Sequence, residues 1–242
     1  MQIEQTEVLI STIDGQIPAV LFTLTEPDRK PAVLLLMEAF GLTPHIQDVA
    51  ARIAHEGYVV LVPDLYYREL PNNKFGYDEV ESARAMALRL DLKSTEADIG
   101  AALAYVKSRP DVYPDKVGVI GFCLGGGLAF LTACKLPTAI AAAASFYGFY
   151  GIALEDWFAM MPALTVPVYF FLGDADPFIP LAQVSQIESR LQELGKAYSL
   201  KIYRDADHGF FCHERSNYNQ LAAEDAWHQL TRFFYKHLRG GS

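Results

Sequence analysis

The fold is decided by the stretch Gly121-Phe122-Cys123-Leu124-Gly125-Gly126-Gly127, which joins two runs of different character. An apolar run typical of a strand, residues 116–120, precedes it, and a run typical of a helix, residues 128–135, follows it. A strand that turns this sharply into a helix needs small residues on both sides of its apex, because the apex residue is conformationally strained. The pattern therefore predicts a strand–turn–helix unit with Cys123 at the apex.

Cys123 is a candidate nucleophile for acyl chemistry. Gly121 and Gly125 lie two positions before and two positions after it, where the two backbones must pass closest. Such a turn directs the apex side chain above the sheet, and the N-terminus of the following helix favours a thiolate or an oxyanion. The alternative is a buried, inert cysteine in an ordinary glycine-rich turn, since free cysteine is among the most buried residue types.

Length and composition indicate a single α/β domain. The chain has 242 residues with 51% hydrophobic content, enough for a well-buried sheet. We assign residues 1–239 to that domain and residues 240–242 to a flexible tail or an expression remnant. The net charge of −9 disfavours nucleic-acid binding, which needs clustered Lys and Arg. A small molecule is therefore the expected partner.

The sequence also bears on location and redox state. Its first seven residues have neither the basic nor the apolar region of a signal peptide, and no later run approaches the about 20 apolar residues of a membrane span. We expect a cytoplasmic protein, as a monomer or a homodimer. The three cysteines, at 123, 134 and 212, fit neither a disulfide framework nor a metal site, so we expect reduced thiols.

Strands alternate with helices along the chain. Besides the two runs that flank Cys123, strands are predicted at 7–11, 16–24, 32–37, 58–62, 139–146, 168–172 and 198–203, and helices at 45–56, 77–90, 94–109, 181–194 and 222–237. The first two strands form an antiparallel hairpin, and residues 147–162 are predicted as a loop region. This alternation is typical of βαβ units and predicts an α/β fold with a mostly parallel sheet of about eight strands and helices on both faces.

Polar residues follow two of the later predicted strands, where working groups collect in such sheets. Asp174 and Asp176 follow residues 168–172, and His208 follows residues 198–203. The chain order of nucleophile, acid and histidine makes His208 a candidate general base oriented by Asp176. Asp174 is the alternative acid, because only geometry separates two carboxylates of one loop. A lone histidine in a polar loop is usually solvated, but the order of the three groups favours a catalytic role.

Glu38 directly follows the apolar run 32–37. A carboxylate at the end of a buried strand is costly unless it has a partner or a role. It is either a loop residue in water or a neighbour of Cys123 that holds or deprotonates the thiol. In the second case the N–H groups of Ala39 and Leu124 face each other across the nucleophile and form an oxyanion hole.

The other histidines receive no function. His213 lies five residues after His208, but no cluster of Cys, His or carboxylate completes a ligand set, so we expect no metal site. The remaining four are predicted on helix surfaces or at helix ends: His45, His55, His228 and His237.

The sequence resembles the dienelactone hydrolase (carboxymethylenebutenolidase) family of α/β-hydrolases. The landmarks run across nearly the whole chain: residues 37–41, 63–66, 116–126, 173–176 and 208–210. The combination of a cysteine elbow with a glutamate at the end of an early strand is specific to this family. The resemblance implies a lactone-opening reaction through a thioester acyl-enzyme, with no cofactor.

The resemblance also implies a role for each site residue. Cys123 is the nucleophile, with His208 and Asp176 as its triad partners. Glu38 holds the resting thiol and takes its proton when substrate binds, and the N–H groups of Leu124 and Ala39 are the oxyanion donors.

Substrate binding departs from the family pattern. In the best-known members of the family, two arginines bind the carboxylate of dienelactone. The corresponding positions in this sequence are Val80 and Cys212. Arg84 and Arg215 either supply the charge from shifted positions or lie on the surface. Tyr147 resembles a pocket-wall tyrosine, with simple packing as its alternative. Cys212 is either a second reactive thiol or a small filler beside two phenylalanines.

Dienelactone-type lactones are the first substrate expectation, with other lactones and simple esters as alternatives. The alternative hypothesis, from a different functional class, is a non-catalytic ligand-binding protein with the same fold. A thiol redox enzyme is disfavoured, because the chain has no C-x-x-C pair. Whether residues 70–77 cover the site is left open by the sequence.

Overall fold

A computed structural model describes residues 2–26, 28–69, 74–149 and 153–240 of the chain. Its strands are β1 Ile3–Thr12, β2 Gly15–Leu24, β3 Lys30–Leu36, β4 Val59–Pro63, β5 Val112–Phe122, β6 Ala142–Phe146, β7 Val168–Gly173 and β8 Tyr198–Tyr203. Its helices are α1 Pro44–His55, α2 Val80–Ala87, α3 Leu92–Ser108, α4 Leu124–Lys135, α5 Leu154–Met160, α6 Leu181–Glu193 and α7 Gln220–Phe234. Two short turns of helix, Met161–Ala163 and Tyr235–Arg239, complete the described structure.

The sheet has eight strands in the order β1-β2-β4-β3-β5-β6-β7-β8. The β1–β2 hairpin and the β2–β4 pair are antiparallel, and every other pairing is parallel. Strands β3, β4 and β6 are buried along their whole length. Strands of this kind read as continuous runs of apolar residues because helices cover both faces of a parallel sheet. The predicted eight-stranded, mostly parallel sheet is confirmed.

The strand order places the candidate site at the carboxyl ends of the central strands. The chain passes from β3 to β4 on one side, whereas β5 pairs with β3 on the other, so the winding direction reverses at β3. Leu36 at the end of β3 is paired with Gly121 near the end of β5. Ligands bind at such switch points, beyond the carboxyl ends of the strands. The residues that follow β3 and β5 therefore emerge side by side.

Several predicted elements differ from the observed ones at their ends by up to four residues, and one helix was not predicted. The loop region predicted at 147–162 contains helix α5, whose Trp157 is fully buried. Its apolar residues Leu154, Trp157 and Phe158 have helical spacing, but the helix has only seven residues and gives a weak periodic signal. The helix predicted from 77 begins at Val80 instead.

Some expectations fall on parts of the chain that are not described. Residues 70–73 of the possible cover over the site, residues 150–152, and residues 241–242 of the predicted tail lie outside the described residues. Within the described ranges, no helix combines the length and the apolar character that a membrane crossing requires.

Candidate active site

The elbow brings Cys123 to the N-terminus of α4 in a strained conformation, with φ 54° and ψ −117°. A Cβ on Gly121 would lie 1.9 Å from the carbonyl oxygen of Gly125. A Cβ on Gly125 would lie 2.2 Å from the carbonyl oxygen of Leu36 in β3. No side chain fits at these distances, so the predicted close passage of strand and helix at these two glycines is confirmed.

His208 and Asp176 meet beyond the ends of β8 and β7. Asp176 Oδ2 lies 2.8 Å from His208 Nδ1, and the two side chains are almost completely buried. The other oxygen of Asp176 accepts a hydrogen bond from the backbone N–H of Phe178 at 2.8 Å. Asp174 instead accepts from the backbone N–H of Asp205 at 2.7 Å, in an exposed position. Geometry thus pairs the imidazole with Asp176 and leaves Asp174 to brace the loop.

The His208 imidazole also forms a hydrogen bond with the Cys123 side chain. Burial opposes a positive charge on the ring, but the electrostatic interaction with Cys123 and the hydrogen bonds to Asp176 and Cys123 outweigh it and raise the pKa of His208 to about 10. The ring of Tyr147 packs 5.1 Å from the imidazole, between centroids. The surroundings of His208 therefore favour its protonated form, with the thiol sulfur on one side and a carboxylate on the other.

Glu38 is fully buried after β3, so its reading as a solvated loop residue is wrong. Its Oε2 accepts a hydrogen bond from the Tyr77 hydroxyl at 3.2 Å, and its Oε1 has no hydrogen-bond partner in the described part of the chain. Burial raises the pKa of Glu38, although the charges of Arg215 and His208 and the Tyr77 hydrogen bond act in the opposite direction. In this structure the carboxylate bonds Tyr77, whereas the thiol of Cys123 bonds His208.

Two backbone N–H groups are available near Cys123. Leu124 is the first residue of α4, and Ala39 lies in the turn that follows Glu38. Within the described ranges neither N–H donates a hydrogen bond to the protein. The carbonyl oxygen of Ala39 accepts from the Tyr66 hydroxyl at 2.9 Å, which holds the peptide chain in place. These N–H groups have the freedom that oxyanion donors require.

The structure separates the two candidate arginines. The guanidinium of Arg215 lies 5.5 Å from the ring centroid of Phe40 and 5.8 Å from that of Tyr77, and its charge lowers the pKa of Glu38. Arg84 lies on the exposed face of α2, and its charge is not among the causes that shift the pKa of Glu38 or of His208.

Cys212 and Tyr147 are both completely buried. The thiol of Cys212 forms a hydrogen bond with Tyr77, and burial together with the charge of Glu38 raises its pKa to about 11. A thiol with that pKa is a poor nucleophile at neutral pH, which favours its role as a filler. Tyr147 has a φ of 40°, and its hydroxyl finds no partner among the described residues.

Sequence reasoning missed the position of two residues near the site. Tyr77 was expected in a helix, yet it precedes α2 and contacts Glu38. His45 was expected on a helix surface, but it is fully buried, with ring centroids 6.4 Å from Phe122 and 6.1 Å from Phe211. Burial, followed by the nearby charge of His213, lowers the pKa of His45 to about 3. Its position on the apolar stripe of α1 was the available signal.

Comparison with known proteins gives consistent matches. The profile of the Dienelactone hydrolase family matches residues 17–238. A homologue from Synechocystis sp. is 35% identical over 99% of this chain and 99% of its own length. The carboxymethylenebutenolidase of Pseudomonas sp. strain P51 is 35% identical over 82% of this chain and 81% of its own. A crystal structure of a Klebsiella pneumoniae protein assigned as a dienelactone hydrolase has a TM-score of 0.88 at 25% identity, with 98% of this chain and 100% of that one covered. The predicted α/β-hydrolase fold is confirmed.

Proposed function

The chain belongs to the dienelactone hydrolase family, and from this membership we propose a carboxylic ester and lactone hydrolase in which Cys123 is the nucleophile. The observation that carries the proposal is the chain of contacts from Cys123 at a strained elbow to His208, and from His208 Nδ1 to Asp176 Oδ2 at 2.8 Å. This is the relation of nucleophile, base and orienting acid that acyl transfer needs.

In the first half of the reaction, the sulfur of Cys123 attacks the carbonyl carbon of the substrate. The carbonyl oxygen becomes an oxyanion that accepts hydrogen bonds from the N–H groups of Leu124 and Ala39. The tetrahedral intermediate then collapses, the ring C–O bond breaks, and a thioester remains on Cys123. For a dienelactone the leaving oxygen departs as a stabilised enolate.

In the second half, the protonated His208 first gives its proton to the departing oxygen, and the neutral imidazole then takes a proton from water, whose hydroxide attacks the thioester. Asp176 stabilises the imidazolium that forms. The carbon–sulfur bond breaks, the open-chain acid leaves, and the thiolate of Cys123 takes its proton back from Glu38. Glu38 serves the first step: burial raises its pKa and so increases its affinity for a proton, which suits the role of the group that takes the thiol proton when substrate binds. No cofactor takes part.

We further propose that the substrate is a dienelactone-type lactone whose carboxylate is bound by Arg215. The name of the Pseudomonas relative refers to such a lactonase. Arg215 lies over two aromatic rings next to the buried Glu38, whereas Arg84 is exposed on α2. Tyr147, 5.1 Å from the His208 ring, forms part of the same binding region. The acting unit is a single domain, residues 1–239, working in the cytoplasm.

The test is ultraviolet-followed hydrolysis of cis- and trans-dienelactone by the wild-type protein, Cys123→Ala and Cys134→Ala. Cys134 is a buried thiol on α4 and serves as the matched control. We expect turnover in the wild type and in Cys134→Ala and none in Cys123→Ala, with a thioester adduct on Cys123 in the mass spectrum after acid quench. Equal turnover in the two variants would refute the assignment of the nucleophile.

The same assay tests the arginine. Arg215→Ala should raise KM for dienelactone and leave KM for an uncharged ester unchanged, because only the first substrate carries a carboxylate. Arg84→Ala, the loss of an exposed arginine, is the control and should change neither. If the two variants respond alike, the carboxylate is bound elsewhere.

A further inference from the structure

A short segment, residues 74–77, is hydrogen-bonded to the turn that contains Glu38, and we call this segment the strap. Lys74 forms an isolated antiparallel bridge with Gly41, and the N–H of Phe75 donates to the carbonyl oxygen of Phe40 at 2.9 Å. Gly41 in turn bridges to Glu38. The strap thus ends with Tyr77 directly over a turn whose backbone it holds.

The hydroxyl of Tyr77 is the centre of a small buried network. It donates to Glu38 Oε2 at 3.2 Å and lies 3.2 Å from Thr43 Oγ1. A phenol has one proton, so a hydroxyl that donates to Glu38 accepts from Thr43. The ring packs edge-on against Phe40, with 4.8 Å between centroids. Tyr77 is therefore held in one orientation from both ends.

The two oxygens of Glu38 are unlike each other. Oε2 is taken by Tyr77, whereas Oε1 is buried and lacks a hydrogen-bond partner among the described residues. A buried, unsatisfied carboxylate oxygen is costly unless it serves a purpose. Leu36 and Gly121 are paired across β3 and β5 and stand two residues before Glu38 and Cys123, so both residues follow the same ends of neighbouring strands. A free lone pair on Oε1 has such a purpose if the proton of the Cys123 thiol arrives there during the reaction.

We propose that Tyr77 is a positioning residue: it holds Oε2 of Glu38 and so presents Oε1 as the oxygen that receives the proton of the Cys123 thiol. The inference rests on the proposed function, in which Glu38 takes that proton. In this step the S–H bond of Cys123 breaks, an O–H bond forms at Oε1, and the electron pair stays on sulfur as the thiolate.

The charges around Glu38 set the direction of the effect. Arg215, His208 and the Tyr77 hydrogen bond favour the carboxylate, and Glu214 disfavours it. Two further titratable groups, Tyr147 and Cys212, interact with Glu38. Burial, followed by the charge of Glu38, raises the pKa of Tyr147, and the same causes raise the pKa of Cys212 to about 11. Both groups are therefore neutral near pH 7. Removing the Tyr77 hydroxyl takes away one of the three groups that stabilise the charged form.

The experiment is Tyr77→Phe, which removes one oxygen and keeps the ring on Phe40. The protonation of Glu38 is followed by the infrared carboxyl band against pH, with Glu38→Gln as the baseline. We expect the midpoint of Glu38 to rise by about one pH unit. The acid limb of kcat/KM should move by the same amount, so that the rate at a pH below the midpoint falls about tenfold, and the rate on the alkaline plateau is kept.

Tyr198→Phe is the matched control, because it removes a tyrosine hydroxyl that bonds a carboxylate, Glu188, at 3.1 Å at the opposite end of the sheet. It should move neither the midpoint nor the limb. An unchanged midpoint in Tyr77→Phe, or a uniform fall in rate at every pH, would overturn the proposal. If Cys123 proves not to be the nucleophile, the proposed function fails, and the infrared titration still decides whether Tyr77 controls Glu38.

Discussion

Asp176→Asn should cost the enzyme about 100-fold in kcat/KM while leaving its fold intact. The substitution keeps the shape of the side chain and an oxygen for the N–H of Phe178, which Asp176 now caps at 2.8 Å. It replaces the acceptor of the 2.8 Å hydrogen bond from His208 Nδ1 with an amide nitrogen that cannot accept. The imidazolium that forms during turnover then loses its buried counter-charge.

The magnitude follows from the burial of the pair. A hydrogen bond between charged partners contributes about 1.5–3 kcal/mol, and each 1.36 kcal/mol corresponds to about tenfold in rate. The interval is therefore about 10- to 160-fold, and the side-chain exposures of 5% for His208 and 0% for Asp176 place the effect near its upper end. The pKa of His208 should also fall below about 10, since Asp176 is one of the groups that raise it.

Asp174→Asn is the control, because it lies in the same loop and its carboxylate braces the N–H of Asp205 in an exposed position. We expect a change of no more than about twofold, since an asparagine oxygen can still accept. The assay is steady-state lactone or ester hydrolysis, with thermal unfolding to establish that both variants are folded and NMR titration of the His208 ring. A larger loss in Asp174→Asn than in Asp176→Asn would refute the reasoning.

Two further predictions concern stability. Gly121→Ala should destabilise the fold by about 3 kcal/mol or more, because its Cβ would lie 1.9 Å from the Gly125 carbonyl oxygen, whereas Gly100→Ala on α3, with its nearest neighbour at 3.9 Å, should be neutral or stabilising in the same urea titration. His45→Leu should remove a source of acid sensitivity, because the pKa of His45 is lowered from 6.5 to about 3 in the folded protein. As pH falls from 6.5 to 3, the free energy of unfolding of the wild type should fall by up to about 1.4 kcal/mol per pH unit relative to the variant. Parallel curves of stability against pH over that range would contradict this.

The elbow and the order of the candidate catalytic groups could be recognised in the sequence. The strand and the helix contact each other so closely at Gly121 and Gly125 that a Cβ would clash there. Glycine is therefore required at both positions, and the contact can be recognised in the sequence. Strand β3 is covered on both faces and therefore appears as an apolar run, after which Glu38 stands out as a charge. These signals are local, because each depends on the steric or solvation demand at one position.

Helix α5 and His45 show where local signals become ambiguous. Seven residues give too little periodicity to separate a helix from a loop, although its Trp157 is completely buried in the core. A polar residue on the apolar stripe of a helix can be exposed or buried, and packing against Phe122 and Phe211 decided in favour of burial for His45.

The sequence by itself determined the α/β architecture, the elbow with Cys123 at its apex, and the end of the sheet where the candidate site forms. It named Asp176 as the acid without excluding Asp174, placed Tyr77 in a helix, and could not rank Arg84 against Arg215. Only the tertiary structure decided these, because a hydrogen bond of 2.8 Å or a guanidinium over a ring depends on how loops from distant strands converge. Residue type and spacing describe what a side chain can do, and the directions in which loops leave the sheet select which side chain does it.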